Sequence, residues 1–281
     1  MKLDDLRDWI GRTEERKDQV TQTPVAAMAA TLDLDMIQLR PGAAVPPLWH
    51  WLYFTPLARQ SEIGPDGHAH RGGFMPPVPL PRRMWAGSRL EFRQPLRIGE
   101  EISRRSRIED VRLKEGRSGT LVFVTVAHEI SSTGGVAIRE EHDIVYRDHP
   151  RPDTPAQEPQ PAPTGEEFGR EIVADPVLLF RYSALTFNAH RIHYDRTYVT
   201  GVEGYPGLIV HGPLIATLLM DLLRRNLPDS RVTRFGFRAV RPLFDIQHFS
   251  VCGRREDTQR VVLWARDHEG WLAMAADADL A

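Results

Sequence analysis

Gly212-Pro213-Leu214-Ile215-Ala216-Thr217-Leu218-Leu219-Met220-Asp221-Leu222-Leu223 is apolar on nearly every side. Gly212-Pro213 is a helix start: proline suits the first turn, where its missing N–H would have no partner in any case. Asn226 and Pro228 stop the helix. A helix apolar all round belongs in an interior. Alternating segments follow it from Phe237, namely His248 to Arg254, Arg260 to Arg266 and Trp271 to Ala278, with the turn Asp267-His268-Glu269-Gly270 between the last two. One buried helix ahead of an antiparallel meander predicts a sheet curved around that helix, an α+β architecture.

Working outward, the pattern occurs twice. Leu90-Glu91-Phe92-Arg93-Gln94-Pro95-Leu96 parallels Phe237-Arg238-Ala239-Val240-Arg241-Pro242-Leu243, and alternating segments follow each: Ile102 to Lys114, Thr120 to Ser131 and Val136 to Tyr146 in the first half. Between the halves, Asp148 to Glu166 is proline-rich and almost without large apolar residues, so it reads as an extended linker. The expected organisation is a first repeat over 1–148, a linker over 149–166 and a second repeat over 167–281. Asp175-Pro176 opens a further helix through Leu185. In the first half Pro47 to Phe54 is the candidate counterpart of the buried helix, and Thr55 to Arg83 reads as a long loop rich in Gly and Pro.

Composition narrows the functional classes. The chain has 281 residues, 41% hydrophobic and 26% charged, with a formal net charge of -2, which favours neither nucleic acid nor an anionic membrane as partner. Cys252 is the single cysteine, so no intrachain disulfide forms, and a reducing cytoplasm is expected. Met1-Lys2-Leu3-Asp4-Asp5 lacks the apolar stretch of a secretory signal. No apolar run approaches the roughly 20 residues of a membrane span.

Chemistry concentrates in Phe187-Asn188-Ala189-His190-Arg191-Ile192-His193-Tyr194-Asp195 and in Tyr205-Pro206-Gly207-Leu208-Ile209-Val210-His211-Gly212-Pro213. A tight turn at Ala189-His190-Arg191 brings Asn188 and His193 to one side. Asn188 offers both donors and an acceptor to a water, and His193 accepts a proton near neutral pH. Gly212 stands at the helix start, where unpaired N–H groups and the helix dipole favour negative charge. A thioester carbonyl held there is polarised toward an enolate, stabilisation worth ~3 kcal/mol per donor. The blander roles are an Asx-turn for Asn188 and a plain helix start for Gly212. Asp195 either orients His193 or caps the next turn, with the cap favoured. Gly-rich phosphate loops and cysteine–histidine sets with metal-site spacing are absent; His68-Ala69-His70 is the nearest approach and lacks clear partner ligands. No cofactor and no metal are expected.

Thr186-Phe187-Asn188-Ala189-His190-Arg191-Ile192-His193 and Ile209-Val210-His211-Gly212 resemble the hydratase motif of the MaoC-like, hot-dog-fold (R)-specific enoyl-CoA hydratases. Gly64-Pro65-Asp66-Gly67-His68, Arg71-Gly72-Gly73-Phe74-Met75-Pro76-Pro77 and Pro81-Arg82-Arg83-Met84-Trp85-Ala86-Gly87 resemble the first half of a double-hot-dog subfamily. That subfamily holds mesaconyl-C4-CoA and itaconyl-CoA hydratases and mitochondrial-type 3-hydroxyacyl-thioester dehydratases. The resemblance implies a double hot-dog fold, hydration or dehydration of an enoyl thioester, and catalysis in the second half. The general pattern carries Asp where this chain has Asn188, and an amide accepts no proton, so the acid/base work falls to His193. The first half is then free to shape the pocket. Arg82, Arg83 and Trp85 are candidates there, as clamps for CoA phosphates or an acyl carboxylate and as a wall for the acyl chain. His190, Tyr205 and His211 are candidate substrate-binding residues beside the motif. The expected partner is an acyl-CoA thioester, probed first as a C5-dicarboxyl one, in a homo-oligomer. The alternatives are a fatty-acid-type 3-hydroxyacyl dehydratase, a hot-dog thioesterase and a non-catalytic acyl-CoA-binding protein.

Overall fold

The computed structural model describes residues 3–35, 39–116, 119–148 and 158–281. Residues 149–157, the first part of the expected linker, lie outside them. In chain order the elements are β1 (Thr13–Gln19), α1 (Gln22–Thr31), a 3-10 turn at Trp49–Leu52, β2 (Arg82–Phe92), β3 (Glu101–Gly116), β4 (Gly119–Ser132) and β5 (Gly135–Arg147). Then come β6 (Phe168–Ile172), α2 (Pro176–Leu185), α3 (Arg196–Gly201), α4 (Gly212–Asn226), β7 (Val232–Ala239), β8 (Phe249–Arg255), β9 (Arg260–Asp267) and β10 (Leu272–Leu280).

All ten strands form one antiparallel sheet in the order β1-β3-β4-β5-β2-β7-β10-β9-β8-β6. The order reads the same from either end, first-half strands on one side of the β2–β7 seam and second-half strands on the other. At the seam Gly87 faces Arg238 and Leu90 faces Phe235. A Cβ on Gly87 would stand 2.4 Å from the Phe237 carbonyl oxygen, so only glycine lets the two strands approach.

α4 is the buried helix expected from its composition: every residue from Leu214 to Leu223 is buried. It packs on β6, β8, β9 and β10, so the second-half sheet wraps it. Arg224 and Arg225 in its last turn complement the negative end of the helix dipole. Its buried Asp221 accepts from Arg170 (3.1 Å) and Arg225 (2.7 Å).

Two expectations change in the first half. The counterpart of α4 is only the turn Trp49–Leu52, because Pro46 and Pro47 precede it and left-handed Leu48 (φ 72) and Phe54 (φ 57) bracket it. The long loop ends earlier than expected, since β2 begins at Arg82 and pairs with β5 from its first residue, Arg82 to Arg147. No helix among the described residues is long and apolar enough to cross a membrane.

Candidate active site

α2 delivers the first part of the site. Asp175 caps it by accepting from the Leu178 N–H at 2.8 Å. At its far end the Asn188 N–H reaches the Ser183 carbonyl (2.8 Å), which forces Phe187 into a left-handed φ of 50°. The Asn188 Oδ1 accepts the His190 N–H at 3.0 Å, so the Asx-turn is present. It leaves the carboxamide –NH2 as the part of Asn188 that can hold a water oxygen.

His193 follows in the turn Arg191–His193 and is buried. Its Nδ1 lies 2.7 Å from the Ile209 carbonyl oxygen, so Nδ1 carries the proton and donates. Burial lowers its pKa to about 4, against the opposing pull of that carbonyl, and the ring is neutral at pH 7. Neutral imidazole with Nδ1 protonated presents an unprotonated Nε2, which is what a general base needs. The His211 ring stacks on it at 3.7 Å and 19°, and His211 Nε2 is anchored to the Ser183 hydroxyl at 2.8 Å. His211 therefore packs between the His193 ring and the Ser183 hydroxyl.

Ile209 holds its carbonyl in place through its own N–H, bonded to Ile192 at 3.0 Å. Two residues on, His211 is the N-cap of α4 and makes no side-chain cap bond, which leaves the helix start uncapped. A Cβ built on Gly212 would meet nothing nearer than the Trp85 carbonyl oxygen at 3.9 Å.

A loop of the first half docks on this motif, a feature sequence reasoning missed. The Arg191 N–H bonds the Asp66 carbonyl (2.9 Å) and its guanidinium the Pro65 carbonyl (3.0 Å). Gly67, at φ 91°, lies so close that a Cβ would stand 1.8 Å from the Ala189 carbonyl oxygen. His68 pairs with Asp66 (Nδ1 to Oδ2, 2.9 Å) and its ring lies 4.0 Å from that of His190. Asp66-Gly67-His68 is a turn signal that could have marked this contact. Asp66, His68 and His190 bring three ligand-type atoms within 4.8 Å of one another. Asp66 and His68 already bond each other, and the positive charges of Arg83 and Arg71 reach His68. That field suits an anion better than a cation.

The two arginines part company. Arg82 is clipped into the fold: it donates to the Tyr205 hydroxyl (3.1 Å) and the Glu203 carbonyl (2.7 Å), and pairs with the Glu203 carboxylate at 3.2 Å. Arg82 and Tyr205 thus hold β2 to the loop before α4. Arg83 forms no ion pair with a described carboxylate; it stands opposite Tyr146, bonds its hydroxyl, and its charge reaches both His68 and His190. Trp85 donates to the Gly87 carbonyl (3.0 Å) and the Ser88 hydroxyl (2.9 Å), with its own carbonyl beside Gly212. Asp195 caps α3 by accepting the Tyr198 N–H at 2.9 Å and pairs with Arg191 at 2.7 Å, as the capping role predicts.

His193 thus stacks on the N-cap residue of α4, five residues after Asn188. The pattern of the family described as hydroxyacyl-thioester dehydratase type 2 matches residues 48–245. The chain belongs to that family. It is 47% identical over 279 residues to mesaconyl-C(4)-CoA hydratase of Chloroflexus aurantiacus, covering 98% of both chains. It is 26% identical to the mitochondrial hydroxyacyl-thioester dehydratase type 2 of Schizosaccharomyces pombe, over 84% of this chain and 88% of that one. In fold it is similar to a MaoC-like dehydratase from Phytophthora capsici (TM-score 0.71, 14% identity, 100% and 99% coverage). It is also similar to a Mycobacterium tuberculosis protein described as a double hot-dog fold (TM-score 0.60, 14% identity, 100% and 98% coverage). As a member of the dehydratase type 2 family the chain is a double-hot-dog hydro-lyase of the MaoC-like kind, a hydratase/dehydratase of acyl thioesters. The carboxylate a hot-dog thioesterase would need on α4 is Asp221, which is buried and ion-paired with Arg170 and Arg225.

Proposed function

We propose that this hydro-lyase acts on an α,β-unsaturated acyl-CoA whose acyl group carries a second carboxylate, a C5-dicarboxyl thioester of the mesaconyl or itaconyl type. The observation that carries the reading is Arg83: a guanidinium with no carboxylate partner among the described residues, whose charge reaches His68 and His190 beside the motif. The relative named mesaconyl-C(4)-CoA hydratase supports the same class.

In the hydration direction the Asn188 –NH2 holds a water and His193 Nε2 takes one of its protons. The resulting hydroxide bonds the β-carbon, and the π pair moves toward the thioester oxygen, stabilised by the Gly212 N–H and the positive end of α4. The His193 imidazolium then returns the proton to the α-carbon on the same face, which restores the neutral ring. Dehydration is the reverse. A cytoplasmic homo-oligomer is part of the proposal.

The test is a panel of dicarboxyl and plain enoyl-CoAs followed by loss of enoyl absorbance. His193→Ala is expected to lower kcat by about 100-fold or more. Arg83→Met is expected to lower kcat/KM on the dicarboxyl thioester by at least about tenfold more than on crotonyl-CoA. Wild-type rates in His193→Ala overturn the base assignment, and equal losses on both substrates overturn the carboxylate role of Arg83.

A further inference from the structure

The first half buries a polar cluster that the chemistry above does not use. Glu140 on β5 is 3% exposed, and three rings converge on its carboxylate. His50 Nε2 lies 2.9 Å from Oε2, His142 Nε2 lies 2.5 Å from Oε1, and the Trp51 indole N–H donates to both oxygens at 3.1 and 3.3 Å. Burial by itself raises the pKa of a carboxyl; His142 and His50 outweigh it and hold Glu140 well below the usual range, so the carboxylate is charged.

Two of these rings are jaws on one side chain. The His142 ring lies 4.1 Å from Trp85, tilted by 37°, and the Trp51 ring meets Trp85 edge-on at 5.0 Å. Trp85 sits at a bulge in β2, where the register shifts between Trp85 and Gly87. Its carbonyl oxygen would stand 3.9 Å from a Cβ on Gly212. Glu140 thus reaches the start of α4 through one tryptophan, from the other half of the chain.

An apolar side chain at 140 would leave His50, His142 and the Trp51 indole N–H without their buried partner, which is costly. A carboxylate does what an apolar group does not: it holds the Trp51 ring by accepting its indole N–H and draws the His142 ring close by charge. The first half has the single turn Trp49–Leu52 at the place where the second half has a whole helix. Packing against one turn leaves the wall more freedom than packing against α4, and the hydrogen bonds supply the missing constraint.

We propose that Glu140 is a positioning residue for the reaction centre, holding Trp85 between His142 and Trp51 and so fixing the pocket wall beside the Gly212 N–H. The inference rests on the reading of Gly212 as the oxyanion donor. The rate then depends on Glu140 only through Trp85, and a double-mutant cycle isolates that dependence. Glu140→Gln keeps the volume and one acceptor but sets an –NH2 group against a ring that donates. Glu140→Gln and Trp85→Phe are each expected to lower kcat about tenfold, with KM for the acyl-CoA moving less than about twofold, and the double variant is expected to fall within about twofold of the slower single one. A merely structural role predicts instead that the two losses multiply to about a hundredfold. Multiplied losses overturn the proposal, as does a Glu140→Gln enzyme with wild-type kcat. His142→Asn, at the more exposed side of the cluster, runs the same cycle if Glu140→Gln does not fold. Failure of the hydratase reading shows separately, in a His193→Ala enzyme that keeps its rate.

Discussion

His193 has one nitrogen committed to the Ile209 carbonyl and a parallel ring, His211, at its back. Burial of the ring opposes protonation, against the pull of that carbonyl. With an ordinary pKa of 6.5 in the unfolded chain and about 4 in the folded one, the unfolded state takes up a proton first as pH falls. Stability is therefore full above pH 6.5, declines between about 6.5 and 4, and levels off below, a loss of roughly 3 kcal/mol for this ring. His190 and His211 shift in the same direction, so they deepen the decline. Denaturant unfolding at pH 8, 6 and 4.5 measures it, and a flat profile contradicts a buried neutral cluster. The same shift places the acid limb of kcat/KM near pH 4, well below that of a free imidazole. At this scale the sequence was readable for Asn188, His193 and Gly212, because local spacing puts them in one turn and at one helix start. It was not readable for Arg82 against Arg83. Neighbours on a strand point to opposite faces, and without a known strand start neither could be preferred.

The elements that local pattern specifies were legible, and those that long-range contact specifies were not. β3, β4 and β5, like β8, β9 and β10, alternate apolar and polar residues between polar turns, and they stand within a residue or two of the expected bounds. β1 (TEERKDQ) has no apolar residue to alternate and is a strand only because β3 pairs with it. α1 begins at Gln22 without a capping side chain and gave no signal. The loop from Gly64 to His70 is the clearest case, since its partner, Ala189 to Arg191, lies far along the chain. Gly67 is the pivot of that docking. Gly67→Ala brings a methyl onto the Ala189 carbonyl at a φ of 91°, which alanine avoids. The variant is expected to keep its fold, because few buried residues lie in the loop, and to lose about 10- to 100-fold in kcat/KM as the motif shifts. Steady-state rates together with a melting curve check both parts; an unchanged rate would mean the loop is only a cover.

At the scale of the molecule, the seam between β2 and β7 joins five strands to five. Gly87→Ala puts a Cβ 2.4 Å from the Phe237 carbonyl oxygen, and no side-chain movement relieves a clash with backbone. The expected cost is roughly 2–4 kcal/mol, seen in denaturant unfolding as an earlier midpoint with the transition still single, because both halves share the seam. Two separate transitions would show that the halves fold independently of it. The doubled architecture was legible in the repeated Pro-Leu and meander pattern; the reduction of one helix to a turn was not, since Pro47 to Phe54 has the apolar content of a helix and only its backbone shows otherwise.

The palindromic strand order has a consequence for stoichiometry. Two identical chains meeting at such a seam would be bound by their two-fold axis to build every feature twice. Here the axis is only approximate, because both sides are written in one polypeptide. One side is free to carry the proposed acid/base turn and a full helix, while the other has a single turn in that helix's place and brings a carboxylate, two tryptophans and Arg83. The expected product of that division of labour is one catalytic centre per chain, with each half free to change without imposing the change on the other.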